Sequence, residues 1–153
     1  MNLKPLLPGH VLVSPLRKVP RLTDLSHEEV ADLFTTVQKV ERMLAHLTFN
    51  GQPEDGSFNI AIQDGEDAGQ TVPHVHCHII PRKRDGDSGG DEIYDKMASE
   101  EGNVGGALWD QQRRPKPSGA FPRIEDADRK PRSVEEMKEE AELYRQRMIS
   151  LEK

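Results

Sequence analysis

Apolar residues recur along two segments of the chain at the spacing of helices. From Ser26 onward they follow one another at steps of three and four residues, the pattern of a helix that buries one face. This predicted stripe consists of Val30, Leu33, Phe34, Val37, Val40, Leu44 and Leu47. Ser26 with Glu29, and Ser133 with Glu136, have the spacing of a capping box at a helix start. The second box predicts a C-terminal amphipathic helix with apolar positions at Met137, Ala141, Tyr144, Met148 and Leu151.

Three other segments have the features of strands. Residues 9–15 are short, rich in β-branched side chains and bounded by Pro8 and Pro15. Residues 57–63 alternate between polar and apolar positions, which is the period of a half-buried strand. Residues 73–81 also alternate and carry a proline at each end. The segments between them contain turn residues, so we predict three short strands.

Composition narrows the class of protein. The chain has 153 residues and a mass of 17.2 kDa, which suits one compact domain. A formal net charge of −6 argues against general binders of nucleic acid or of anionic membranes, because both depend on an excess of Lys and Arg. No apolar run reaches the roughly 20 residues that cross a bilayer. With Cys77 as the single cysteine, a disulfide within the chain is impossible, so we expect a soluble intracellular protein.

Glycine and proline are concentrated late in the chain. Residues 82–132 contain seven of the 12 glycines and four of the 11 prolines, among many charged side chains. Such a segment cannot bury enough apolar surface to offset its conformational entropy. We therefore predict a domain core over residues 1–97, a charged and disordered insertion over 98–132, and a C-terminal helix over 133–153 that packs on the core.

Three histidines at alternate positions are the main candidates for chemistry: His74, His76 and His78. On a strand they would share one face, while Val75, Cys77 and Ile79 would face the core. One interpretation is a solvated strand face. A second is a zinc site, although His74 and His78 would be about 13 Å apart at roughly 3.3 Å per residue, so that one ion would use only two of them.

The third interpretation is covalent catalysis at phosphorus by a neutral imidazole. His76, at the centre, would be the nucleophile if its other ring nitrogen donated to a fixed acceptor. Gln63 and Gln70 would supply neutral donors to the phosphate oxygens. The cationic residues 82–84 would offset the phosphate charge.

The histidine row has the His-x-His-x-His-x-x pattern, with x apolar, and so resembles the histidine triad superfamily. Residues 63–65, 68–72 and 81–83 are similar to the fragile histidine triad branch, the dinucleoside triphosphate hydrolases. The resemblance covers about residues 2–97 and 133–148, and the family core does not require the segment between them. It implies an α+β fold with an antiparallel sheet, one long helix and a C-terminal helix.

The resemblance also implies an activity, the hydrolysis of diadenosine triphosphate to AMP and ADP through a nucleotidylated histidine. His76 would attack the α-phosphorus, while His78 and Gln63 contact the phosphate and Gln70 the phosphate chain. His10 and His74 would support the orientation of the nucleophile, and Asn2 matches a ribose contact of the family. These site residues are His10, His74, His76 and His78 for catalysis and Asn2, Gln63 and Gln70 for substrate binding.

Further expectations follow from the family. We expect the protein to be a homodimer. We expect it in the cytoplasm and also in the nucleus, and we expect it to bind neither nucleic acid nor membranes. The protein itself would bind no metal, while Mg²⁺ or Mn²⁺ accompanies the polyphosphate. Members of this branch carry early strands before the position of Asn2, where they form much of the adenine pocket. Without them we expect a truncated chain or a smaller sheet, with an uncovered edge that favours aggregation, weak nucleotide binding or association.

Three alternatives remain at this point. A nucleoside phosphoramidase of the same superfamily would use the same histidine but release an amine from phosphorus; the glutamine-bearing loop favours the hydrolase. A dinucleotide-binding signalling module would bind nucleotide tightly even after replacement of His76. A zinc-binding protein would hold about one ion and lose it with either of two neighbouring histidines.

Overall fold

A computed structural model describes Asn2, residues 5–70, residues 72–83, Ile93 and residues 132–151. Within these residues the chain forms, in order, strand β1 (Val11–Val13), helix α1 (His27–Thr48), strands β2 (Gly56–Ile62) and β3 (Cys77–Lys83) and helix α2 (Val134–Leu151). Short 3-10 turns lie at Leu22–Asp24, Pro53–Asp55 and Glu66–Ala68. The α+β class is confirmed. Apart from Arg132, the predicted insertion over 98–132 lies outside the described residues, and the domain boundaries stay predictions.

The three strands form one antiparallel sheet with β3 at its centre. The strand order is β1-β3-β2. Leu12 of β1 and Ala61 of β2 lie on either side of His78. The pairing between β2 and β3 ends at Ile62 and Cys77, the last residue of β2 and the first of β3. Because side chains alternate along a strand, His78 and its two neighbours lie on the sheet face opposite Cys77.

The structure corrects the bounds of the predicted third strand. Residues 73–81 were expected, but β3 runs from Cys77 to Lys83, so only one of the three histidines lies on it. The earlier part turns away because the Val75 N–H donates to the Val19 oxygen, at 2.8 Å, rather than to a sheet neighbour. Pro81 is tolerated within β3 because β1 pairs no further than Ile79. The first strand is also shorter than the predicted 9–15.

Helix α1 begins as predicted. The Glu29 N–H donates to Ser26 Oγ at 3.2 Å and the Ser26 N–H to Glu29 Oε2 at 2.8 Å, which closes the capping box. Its buried residues are Leu33, Val37, Val40, Met43, Leu44 and Ala45. The expectation for Phe34 is wrong, because its side chain is 42% exposed. Phe34 lies about 100° around the helix from Leu33, at the edge of the buried stripe.

The main core lies between α1 and the sheet. Val11, Val13, Cys77 and Ile79 contribute the sheet side of this cluster. Helix α2 begins with the predicted capping box, in which the Glu136 N–H donates to Ser133 Oγ at 3.1 Å and the Ser133 N–H to Glu136 Oε2 at 2.8 Å. Tyr144 and Met148 of α2 pack against the core while remaining partly exposed, and Leu151 is exposed. The C-terminal helix therefore packs on the domain core through one partly buried face.

A second, smaller apolar cluster covers the other face of the sheet. Leu6, Ile80 and Ile93 form it, with Ala61 packed against them. His78 lies on this same face of the sheet, where Ala61 is its neighbour on β2. Within the described residues, neither helix is long and apolar enough to span a membrane.

Candidate active site

His78 is placed by the centre of the sheet. It lies on β3 between Leu12 and Ala61, and its side chain is only 1% exposed. Its Nε2 atom is buried and has no hydrogen-bond partner among the described residues. Buried polar atoms are nearly always paired, so an unpaired one on a sheet face is a candidate contact for a ligand.

A chain of hydrogen bonds fixes the tautomer of His78. The Leu6 N–H donates to His10 Nδ1 at 3.2 Å, and the Asn2 amide donates to the same atom at 3.3 Å. His10 Nδ1 therefore carries no proton, and the proton lies on Nε2. That N–H donates to His78 Nδ1 at 3.0 Å. His78 is consequently protonated at Nε2, so its unpaired atom is a donor.

His76 directly precedes β3 and has the opposite tautomer. Its Nδ1–H donates to the main-chain oxygen of His74 at 2.8 Å. The lone pair is therefore on Nε2, the nitrogen needed by a nucleophile. The rings of His76 and His78 lie edge to face with centroids 5.1 Å apart. One imidazole that can attack and one that can donate thus lie side by side.

Burial keeps both imidazoles neutral. It lowers the pKa of His76, although the hydrogen bond to His74 acts in the opposite direction. Burial, with a smaller contribution from His76, lowers the pKa of His78 to about 3. Both rings are therefore uncharged at neutral pH, as the attacking and donating roles require.

His74 has a different place from the other two. Its half-buried ring accepts a hydrogen bond from the Val19 N–H at Nδ1, at 3.4 Å. Its main-chain oxygen, rather than its ring, orients His76. His74 thus contacts the predicted nucleophile through its main-chain oxygen. A role for the His74 side chain stays a prediction.

The two predicted glutamines lie in and beside the loop between β2 and β3. Gln63 directly follows Ile62, which pairs with Cys77, the residue after His76. Gln70 is buried, donates to the Pro20 oxygen at 2.8 Å and accepts from the Gly65 N–H at 3.0 Å. Phosphate contacts by either residue stay predictions. Gln70 has its oxygen and one N–H engaged within the protein.

The remaining predicted groups are more scattered. Arg82 donates to Asn59 on the neighbouring strand, Lys83 is exposed, and Arg84 lies outside the described residues. The buried Asn2 contacts His10, and its ribose role stays a prediction. Sequence reasoning missed the Leu6 N–H, because a main-chain donor has no side-chain signature.

Two further features bear on ligands. In the described part of the chain, no three His, Cys, Asp or Glu side chains are grouped so that they could hold a metal ion. A cavity of about 350 Å³ lies on the α1 side of the sheet, lined by Leu44, Pro81 and Tyr144 among others, and no histidine contributes to it. His76 and His78 therefore lie outside the lining of this cavity.

Comparison with known proteins agrees with the geometry. Residues 1–85 match the family described as HIT domain, which is more than half of the chain. The chain belongs to the HIT domain family. A fission yeast relative (Schizosaccharomyces pombe), named bis(5'-nucleosyl)-tetraphosphatase [asymmetrical], is 48% identical over 148 residues, which cover 93% of this chain and 79% of the relative.

Two further matches extend the comparison of this HIT domain. An Arabidopsis thaliana protein, named bifunctional bis(5'-adenosyl)-triphosphatase/adenylylsulfatase FHIT, is 46% identical over 145 residues, covering 95% of this chain and 69% of the relative. The crystal structure of the Caenorhabditis elegans NitFhit protein matches with a TM-score of 0.60 and 40% identity, over 96% of this chain but 24% of that one. The chain thus spans about a quarter of the NitFhit protein and most of the two other relatives.

Proposed function

We propose that this HIT domain protein is a dinucleoside polyphosphate hydrolase that cleaves diadenosine triphosphate to AMP and ADP. The names of the S. pombe and A. thaliana relatives support this class of substrate. The observation that carries the proposal is the pairing of a neutral, attacking His76 with the unpaired, buried N–H donor of His78. A phosphate oxygen is the group that this donor would satisfy.

The reaction has two displacements at the α-phosphorus. His76 Nε2 attacks first, which forms an N–P bond and breaks the bond between phosphorus and the bridging oxygen, so that ADP leaves. Water then attacks the same phosphorus, breaks the N–P bond and releases AMP, while its proton passes to solvent. Dividing the reaction in this way needs one good nucleophile and preorganised donors.

The surrounding residues hold this pair in place. The His74 oxygen keeps the His76 lone pair on Nε2, and His10, backed by Asn2 and the Leu6 N–H, keeps a proton on His78 Nε2. His78 then donates to a phosphoryl oxygen whose charge grows in the transition state. Gln63 and Gln70 add phosphate contacts in this proposal, and Asn2 adds a ribose contact.

The proposal also includes the oligomeric state, the cation that accompanies the substrate and the cellular compartment. The chain forms a homodimer, for which strand β2, an edge of the sheet within the described residues, with Ile60 43% exposed, is a suitable surface. Mg²⁺ or Mn²⁺ is carried by the polyphosphate rather than by the protein. The one cysteine, free and buried, is compatible with the reducing cytoplasm or nucleus.

The test compares three substrates, each with wild-type protein and with the His76→Ala variant. Wild type and His76→Ala are incubated with diadenosine triphosphate, diadenosine tetraphosphate and adenosine 5'-phosphoramidate, with and without Mg²⁺, and the products are separated. Release of AMP with ADP from the triphosphate, lost in His76→Ala, supports the hydrolase. Cleavage of the phosphoramidate alone would identify the rival amine-releasing activity. Tight binding without turnover in either protein would favour the binding module.

A trapping experiment tests the covalent intermediate. Substrate labelled at the α-phosphorus is mixed with excess enzyme, and the reaction is stopped in alkali, where a phosphorus–nitrogen bond to histidine is stable. Label should remain with wild-type protein, be released by mild acid, and be absent from His76→Ala. Label that never accompanies wild-type protein, in spite of rapid turnover, would argue for direct attack by water.

A further inference from the structure

The loop that carries the two glutamines is attached to one short segment before α1. This pre-helix segment, residues 19–22, pairs with it through main-chain and side-chain groups. The Val19 oxygen accepts from the Val75 N–H at 2.8 Å, and the Pro20 oxygen accepts from Gln70 at 2.8 Å. The Leu22 N–H donates to Asp64 Oδ1 at 2.9 Å. The loop therefore gains its shape from outside the sheet.

The pre-helix segment is itself anchored. Val19 belongs to the main core cluster, and Leu22 packs against that cluster. The preceding Arg17 donates to both carboxylate oxygens of Glu29 on α1, at 2.8 and 2.6 Å, and to the Asp24 oxygen at 2.8 Å. Hydrogen bonds from the loop to residues 19–22 therefore attach the loop to the main core and to α1.

We propose that Asp64 is a positioning residue of the reaction, which fastens the start of the glutamine loop to the pre-helix segment and so holds Gln63 near the start of β3, which His76 directly precedes. The inference rests on the proposed function. It adds to that function a residue whose described contacts are with Leu22 and Arg21 rather than with His76 or His78.

The geometry singles out Asp64 among the acidic residues of the loop. One oxygen, Oδ1, accepts from the Leu22 N–H and also lies 3.2 Å from Arg21 Nε. The Leu22 N–H is the main cause of the lowered pKa of this carboxyl, and Arg21 adds to it. Its neighbours Glu66 and Asp67 are exposed. Asp64 is also the residue next to Gln63, so a backbone shift at Asp64 would be passed to the predicted phosphate contact.

Gly65 and Gln70 complete the attachment. Gly65 has a φ of +113°, a backbone conformation that favours glycine. This conformation lets the Gly65 N–H donate to Gln70 Oε1 at 3.0 Å, while the Gln70 N–H donates back to the Gly65 oxygen at 3.0 Å. The first part of the loop and Gln70 are therefore joined to each other and to the same segment.

The experiment compares kcat and KM for diadenosine triphosphate in four variants of the full chain. Asp64→Ala removes both contacts, Asp64→Asn keeps an oxygen for the Leu22 N–H, Arg21→Met removes the ion pair alone, and Glu66→Ala is the matched control for charge. Misplacement of a catalytic contact by about 1 Å can cost on the order of 10²-fold. We expect Asp64→Ala to lower kcat by about 10- to 100-fold with little change in KM.

The other variants separate positioning from folding. Asp64→Asn and Arg21→Met should each retain kcat within about fivefold of wild type, because the Arg21 contact is exposed and contributes little. Glu66→Ala should equal wild type. A lower melting temperature in Asp64→Ala, with an unchanged kcat below that temperature, would mean a merely structural role and would overturn the inference.

Hydrogen exchange gives a readout that needs no turnover. In Asp64→Ala the amides of Leu22, Gly65 and Gln70 should exchange faster than in Glu66→Ala, while amides within α1 stay unchanged. If wild type has no hydrolase activity, the proposed function fails, and this comparison still decides whether Asp64 fastens the loop. Equal protection in the two variants would overturn the inference.

Discussion

The Nδ1–H of His76 donates to the main-chain oxygen of His74 at 2.8 Å, so the backbone orients the ring of the proposed nucleophile. This predicts different outcomes for neighbouring histidines. His76→Ala should lower turnover on the order of 10⁶-fold, by analogy with the loss of other covalent nucleophiles. His74→Ala keeps the oxygen that orients His76, so its turnover should exceed that of His76→Ala by at least about 10³-fold. Steady-state kinetics on diadenosine triphosphate measure both, and equal losses would contradict backbone orientation.

The bond from His10 Nε2 to His78 Nδ1 predicts a change of tautomer when His10 is removed. In His10→Ala the proton of His78 can move to Nδ1, which leaves no donor for the phosphate. We expect turnover to fall by about 10²-fold or more, and stability to fall by about 1–3 kcal/mol because buried donors lose their acceptor. Nitrogen chemical shifts of the His78 ring report the tautomer.

Two variants serve as controls for this prediction. His10→Gln can still offer an N–H to His78 and should recover part of the activity. His27→Ala removes an exposed histidine and should change neither activity nor the His78 shifts. An unchanged His78 tautomer in His10→Ala would refute the proposed role of His10.

Local signals account for what the sequence predicted well. Both capping boxes connect residues three apart, so Ser26 and Ser133 marked the helix starts correctly. The start of β3 depends instead on Val75 pairing with Val19, far away in the sequence, and no local pattern indicates such a partner. The spacing also did not show which residues at the edge of the α1 stripe are covered, and Phe34, about 100° around the helix from Leu33, is 42% exposed.

The candidate site divides in the same way. The alternating histidines identified His76 and His78 from sequence because the motif itself is local. The tautomer on which the proposed role of His78 rests depends on His10, 68 residues away, and on the main-chain N–H of Leu6. The loop attachment through Asp64 depends on another main-chain donor, that of Leu22. Backbone donors become visible only once the fold is known.

The buried neutral histidines predict a loss of stability in acid. His78, with a folded pKa of about 3 against an ordinary 6.5, stays neutral while the unfolded chain gains a proton, and the pKa of His76 is lowered too. Their contribution is complete above pH 6.5 and is lost as the pH falls below it, over a range that for His78 extends to about pH 3. The slope should be at most about 1.4 kcal/mol per pH unit for each histidine.

Urea unfolding between pH 7.5 and 4 measures this slope. His46→Gln, which changes an exposed histidine, should follow wild type, whereas His78→Gln should give a flatter curve. A His78→Gln curve as steep as that of wild type would show that other groups cause the acid sensitivity.

Burial on α1 predicts unequal costs for two residues of the predicted apolar stripe. Leu44 is 1% exposed and Phe34 is 42% exposed. Leu44→Ala leaves a cavity in the core and should lower the free energy of unfolding by about 2–5 kcal/mol. Phe34→Ala should lower it by less than about 1 kcal/mol. Urea unfolding at pH 7.5 compares them, and a larger cost for Phe34 would contradict the orientation of α1.

Cys77 is predicted to be protected by the same core. Its side chain is fully buried, and this burial, with a smaller effect of Glu41, raises the pKa of the thiol to about 11. The thiolate is the reactive form, so a thiol reagent at pH 8 should reach it only when the domain opens. Labelling should be slow in the folded wild type and immediate in urea. It should be faster in Leu44→Ala, where unfolding is easier, but not in Phe34→Ala. Rapid labelling of all three folded proteins at one rate would place Cys77 at an accessible surface instead, and His78, its neighbour on β3, would then face the core rather than the substrate.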